Sequence, residues 1–209
     1  MQFLIATSSW VFLVKIIAGY GSSAVAGYTI AIRIIDFVIL PSLGLSNAAA
    51  TLVGQNLGAN KPRRTEQFVW RVGAYNFAFL TTVGIAFIPG PGTLVGFFTS
   101  DTEIARTAVS CLRWLSYGLG LFAIGIVLNQ AFNGAGDTMT PTKINFFVFW
   151  LTQLPLAYWL ANHVLNSPDG VFIAILIGES LMTLIAFIVF RRGHWKFVNV
   201  QSANRNAVN

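Results

Sequence analysis

Long apolar runs alternate with short polar breaks along the chain, and the runs exceed what a soluble helix needs. Residues 171–190 hold a single ionisable side chain, Glu179. A helix of about 20 such residues crosses the ~30 Å hydrocarbon layer of a bilayer. The pattern predicts six crossings, at about residues 3–20, 24–57, 66–88, 101–132, 141–162 and 171–190, followed by a polar tail at 198–209. The expected fold is an all-α membrane protein, with six transmembrane helices of residues 1–197 forming one bundle.

Local signals set the helix ends. Gly19-Tyr20-Gly21-Ser22-Ser23 closes the first helix. Pro41 with Gly44 predicts a bend in the second, because proline removes a backbone donor and crowds the carbonyl one turn back. Gly58 reads as its C-terminal stop. Pro89-Gly90-Pro91-Gly92 ends the third and is expected to hold no helix. Ser100 with Glu103 reads as a capping box for the fourth. Thr140 reads as N-cap of the fifth, with Pro141 at its first position. Asn166-Ser167-Pro168-Asp169-Gly170 separates the fifth from the sixth.

Composition agrees. Of 209 residues 55% are hydrophobic and 10% charged, whereas soluble domains run nearer a quarter charged, so a water-soluble fold is excluded. The net charge of +6 does not indicate nucleic acid, because most basic residues sit in loops beside apolar runs. Lys61, Arg63, Arg64, Arg71, Lys143, Arg191, Arg192, Lys196 and Arg205 fall on one side. Arg106, Asp101, Glu103 and Asp169 fall on the other. The positive-inside rule makes the first side cytoplasmic, and six crossings then put both termini there. The expected location is the plasma membrane, in a bacterium the inner membrane. The start, Met1-Gln2-Phe3, lacks a basic region, so no signal peptide is expected. Cys111 stands alone in a span and reads as a packed thiol.

Ionisable groups inside spans are costly and mark function by default. Lys15 and Arg33 are near the outer ends and have snorkelling as an alternative. Asp36, three residues after Arg33, either pairs with it or serves a transport path. Arg113 suits snorkelling or helix pairing. Glu179 must be protonated, paired with another helix, or facing water. The amides Asn47, Gln55, Asn129, Gln130, Asn145 and Gln153 are expected to bond between helices or to line a cavity. His163 and His194 have no partners at ligand spacing, so no metal site is expected. No nucleophile–base pair, phosphate-cradling loop or catalytic carboxylate pair stands out, which disfavours an intramembrane enzyme.

Two junctions carry more specific patterns. One is Ala50-Thr51-Leu52-Val53-Gly54-Gln55-Asn56-Leu57-Gly58-Ala59-Asn60-Lys61-Pro62. The other is Phe132-Asn133-Gly134-Ala135-Gly136-Asp137-Thr138-Met139-Thr140-Pro141, in which Asp137, Thr138 and Thr140 offer acceptors to the free N–H groups opening a helix. With these junctions, Pro41, and the end Phe190-Arg191-Arg192-Gly193-His194-Trp195-Lys196, the sequence resembles the multidrug and toxic compound extrusion family over about residues 5–197. Gly54, Gln55, Gly58, Ala59 and Pro62 match the family's first motif; Gly134, Gly136, Asp137, Thr138 and Pro141 match its second.

The resemblance implies cation-coupled export of amphipathic organic cations by alternating access, with proton or sodium as coupling ion and no cofactor. It implies a C-terminal six-helix lobe of a two-lobe, twelve-helix transporter, whose N-terminal lobe is missing here. The chain is then expected to be a fragment, a split gene product or a half that needs a partner. Asp36, Arg33, Glu179, Asn129, Gln130, Asn145 and Gln153 are the pathway candidates, and Pro41 with Gly44 the hinge. Sodium-coupled relatives carry carboxylates in the first and fourth helices of this lobe. Here the first helix has none, the fourth has none after Glu103, and Phe122 stands about where the second would lie. A coupling carboxylate is then in the absent lobe, or is Asp36 or Glu179. The 18 Phe and 6 Trp either line a cavity, where cation–π contact suits cationic drugs, or face lipid. A flippase for lipid-linked precursors or polysaccharide, and an inactive fragment, remain the alternative readings.

Overall fold

The computed structural model describes residues 2–198, so the polar tail expected beyond Val198, with Arg205, lies outside the described residues. The helices are α1 (Gln2–Ala18), α2 (Ser22–Gly58), α3 (Pro62–Phe87), α4 (Pro91–Gly96) and α5 (Thr102–Gly134). They continue with α6 (Met139–Leu165) and α7 (Asp169–Arg192), then a 3-10 turn at His194–Phe197. Helices α2, α5, α6 and α7 are long and apolar enough to cross a membrane. Helix α1 is 17 residues long, and α3 carries Arg71 and Asn76 in its length.

Helix α5 is the centre of the bundle, packing against α2, α3 and α7. Small residues permit the approach: Ala31, Ala49, Ala108, Ala123 and Ala131 are fully buried. The core has two parts. One, around Tyr28, Leu112 and Phe172, lies toward the end that carries Asp101 and Asp169. The other, around Val53, Val69, Phe132 and Trp195, lies toward the basic end that carries Lys61, Arg63, Arg64, Arg191 and Arg192. There Trp195 stacks on Phe190 at 4.6 Å, and Trp70 and Phe132 meet Phe190 edge-on, joining α3, α5 and α7. Large apolar side chains such as Phe37, Tyr75, Phe97 and Leu184 point outward, as lipid contact demands. Helix α1 lies beside α6: Trp150 meets Phe12 at 5.3 Å, and the Tyr20 hydroxyl donates to the Ala161 carbonyl at 2.6 Å.

Several helix ends differ from expectation. Pro89-Gly90-Pro91-Gly92 does not exclude a helix, because Pro91 opens α4 at a position where its missing N–H costs nothing. Asp101, not Ser100, caps α5, accepting from the N–H groups of Glu103 and Ile104 at 2.9 and 3.1 Å. Helix α3 starts four residues early because Pro62 takes its first turn. Gly58 is the last residue of α2, and Asn60, with φ 58°, makes the left-handed turn. Helix α6 begins at Met139, and Asp137 rather than Thr140 supplies the cap. Its carboxylate accepts from the Thr140 N–H at 3.1 Å and the Thr140 hydroxyl at 2.6 Å. Helix α6 also winds as a π-helix over Phe146–Gln153, where the Leu154 N–H reaches the Phe149 carbonyl. Pro155 follows at once, and a wider turn moves the carbonyl that a proline ring would otherwise strike.

Candidate functional site

A cavity of about 350 Å³ opens inside the bundle among α1, α2, α5, α6 and α7. Its lining includes Trp10, Tyr28, Asp36, Phe122, Phe149, Gln153 and Glu179. The fold thus brings two carboxylates from α2 and α7 to one chamber of aromatic and aliphatic walls. The Trp10 indole N–H donates to the Tyr28 hydroxyl at 3.0 Å, tying α1 to α2 at the cavity wall. Tyr28 is held from behind by Phe172, parallel to it at 6.1 Å. Gln153 is buried against Gly178, where a methyl group would come within 3.1 Å of its side chain. That glycine lets α6 approach α7 beside Glu179.

Arg33 and Asp36 do not pair. The ion pair found among the described residues is Lys196 with Glu66, and both Arg33 and Asp36 are exposed in this lobe. Asp36 faces the cavity, whereas Arg33 is absent from its lining. Phe122 lines the chamber, so the position where sodium-coupled relatives are expected to carry an acid is apolar here. Lys15 lies outside the cavity, in a groove between α1 and α6, and Arg113 is exposed.

The amides divide. Gln130 donates to Asn47 at 2.6 Å, joining α5 to α2. Asn129 donates to the Met182 sulfur at 3.1 Å, and its own Oδ1 is buried without a partner among the described residues. Asn145 Oδ1 is likewise buried and unpartnered, and Gln55 is exposed. Pro41 and Gly44 are exposed on α2, which runs unbroken through them. The two motif junctions touch: Gly134 packs on the Ala50 carbonyl, and Gly54 on the Gly134 carbonyl. Ala59, Gly136 and Thr138 are exposed at the same end, and Pro141 is buried in the first turn of α6.

Sequence reasoning missed two polar groups. Asn76 is fully buried on α3 and donates to the Ser42 hydroxyl at 2.8 Å and the Ala123 carbonyl at 3.1 Å. An amide amid apolar residues was the available signal. Gln2 donates to Asn133 at 2.9 Å and to the Thr138 carbonyl at 3.0 Å, closing α1 onto the α5–α6 junction. A lone glutamine before an apolar run gives no such hint.

A helical bundle with long apolar spans around a mostly apolar chamber that holds two carboxylates places the chain among multi-pass membrane proteins. The sequence model of the MatE family matches residues 1–159, and the chain belongs to this multidrug and toxic compound extrusion family. A probable multidrug resistance protein NorM from Thermotoga maritima is 26% identical over 176 residues, covering 84% of this chain and 38% of that protein. The probable multidrug resistance protein YpnP of Bacillus subtilis is 22% identical, covering 94% of this chain and 44% of its own length. The chain therefore spans about two-fifths of the length of these relatives. A mutant of the Vibrio cholerae MATE transporter VcmN superposes with TM-score 0.86 at 21% identity, over 93% of this chain and 45% of that one. The MATE transporter ClbM in complex with Rb+ gives 0.85 at 23% identity, over 93% and 46%. These likenesses give the fold: half of a MATE transporter.

Proposed function

We propose that this chain is the C-terminal lobe of a cation-coupled exporter of amphipathic organic cations, working with an N-terminal lobe across a plasma membrane. The observation that carries it is the cavity. Asp36 and Glu179 supply negative charge, and Trp10, Tyr28, Phe122 and Phe149 supply flat apolar walls. Carboxylates over aromatic faces suit a delocalised organic cation and suit a neutral lipid-linked sugar less well, which ranks the flippase reading second.

The same carboxylates serve the coupling ion. A proton or sodium ion and a cationic drug compete for the same negative charge, so loading one releases the other. Relatives named for multidrug resistance support the cargo class, and the Rb+ in the ClbM structure supports a monovalent ion in such a fold. The basic end, with Lys61, Arg63, Arg64, Lys143, Arg191 and Arg192, is then cytoplasmic. Helix α2 changes shape at Pro41 and Gly44 as the lobes rock.

The test is efflux of a cationic dye from vesicles that hold this chain with its companion lobe, under imposed proton and sodium gradients. Gradient-driven efflux that Asp36→Asn with Glu179→Gln abolishes is the expected result. Efflux that stays fully gradient-dependent in the double variant would move coupling to the other lobe. Absence of dye efflux together with transport of a lipid-linked sugar would favour the flippase.

A further inference from the structure

Five side-chain oxygens are buried with no hydrogen-bond partner among the described residues: Asn76 Oδ1 and Thr81 Oγ1 on α3, and three on three other helices, Asn129 Oδ1 on α5, Asn145 Oδ1 on α6 and Glu179 Oε2 on α7. A buried acceptor left without a donor carries the full cost of its lost hydration. Hydrocarbon tails offer no donor to relieve it.

The last three border one seam. Asn129 donates to Met182, which follows Glu179 by three residues and so shares its side of α7. Asn145 precedes Phe149 and Gln153 on α6 at steps of four, and those two line the cavity with Glu179. Asn129 stands seven residues past Phe122 of the cavity wall, about 10 Å nearer the basic end at ~1.5 Å per residue. The polar series then continues outward. Asn133, one turn on, donates to Gln130 at 3.0 Å and accepts from Gln2 at 2.9 Å, and Gln130 reaches the exposed Asn47.

We infer that the α5–α6–α7 seam holds a short chain of bound water that joins Glu179 to the aqueous phase at the basic end, with Asn129 and Asn145 as its fixed acceptors. Water is the donor small enough to fit among these groups, and each molecule needs two to four polar contacts, which neighbouring waters and the three oxygens supply. The consequence for transport rests on the ion-coupled reading above. Glu179 hands its proton to the adjacent water, whose oxygen gains that O–H bond and passes one of its own protons on; reversal reloads the carboxylate. Two asparagines that cannot titrate hold the waters in line without trapping the proton.

Radiolytic hydroxyl-radical footprinting of the membrane-embedded protein tests this without reference to transport, because bound water makes radicals beside the side chains it touches. Met182 is 3% exposed and Met139 62% exposed, so one residue type reports both settings. The expected result is Met182 oxidation at a rate comparable to Met139, falling severalfold in the Asn129→Leu, Asn145→Leu double variant while Met139 holds. A Met182 rate in the unmodified chain no faster than unirradiated background overturns the inference, whatever the variant does. Failed dye efflux with a labelled Met182 would instead remove the exporter reading and leave the waters in place.

Discussion

Gly134 lies so close to the Ala50 carbonyl that a methyl group built on it would collide with that backbone, and Gly54 in turn faces the Gly134 carbonyl. The two motif junctions, some eighty residues apart in sequence, are thus the two sides of one helix contact between α2 and α5. Close approach of backbones is how helices associate where water gives no hydrophobic drive.

Gly134→Val is accordingly expected to destabilise the bundle by about 1–3 kcal/mol, the usual cost of overpacking a site that cannot yield. Gly58→Ala, with open space at its Cβ, is expected to change stability by no more than ~0.5 kcal/mol. Denaturation midpoints in mixed micelles compare them, and a Gly134→Val variant as stable as the parent would refute the contact.

Asn76 clips α3 to Ser42, the residue after Pro41, and to α5 through the Ala123 carbonyl. Interhelical hydrogen bonds in membranes average about 0.6 kcal/mol and reach about 1.7. Asn76→Ala is expected to cost roughly 1–2 kcal/mol, since it breaks two of them. A double-mutant cycle with Ser42→Ala measures the pair, and a coupling energy of zero would show that this bond adds nothing.

Pro41→Ala returns a backbone donor to the middle of α2. If α2 flexes there during transport, the variant inserts and accumulates normally but exports dye severalfold more slowly. Side-by-side expression and efflux measurements decide it, and unaltered efflux at normal expression would remove the hinge.

Lys196 lies beyond the end of α7 and pairs at 2.5 Å with Glu66, in the second turn of α3. The hydrogen bond from Lys196 holds the Glu66 carboxyl below its ordinary value, with burial opposing. A depressed folded-state value adds stability above the unfolded value, and that stability is lost as pH falls through the folded one. Because both side chains are partly solvated, the effect is expected to stay under ~1 kcal/mol. The stability difference between the parent and Lys196→Met should be present at neutral pH and vanish at pH below the carboxylate range. A difference that persists in strong acid would assign it to the Lys196 ammonium over the Trp195 ring.

The amino-acid sequence by itself determined the solvent, the long helices and the family. A run such as 171–190 has one stable option, a membrane helix, because only there are its side chains and its backbone both satisfied. The helix-ending Gly58 and Pro62 were legible because their constraint is local, whereas what Gly54 and Gly134 lie against was not. Tertiary structure alone decided which polar residues meet. Spacing put Asp36 near Arg33, yet packing set Asp36 in the same cavity lining as Glu179, more than a hundred residues away, and left Arg33 outside it. Asn76 and Gln2 found their partners only once α3 and α1 had docked. A helix period tells which residues share a face, but it carries no record of what that face will lie against.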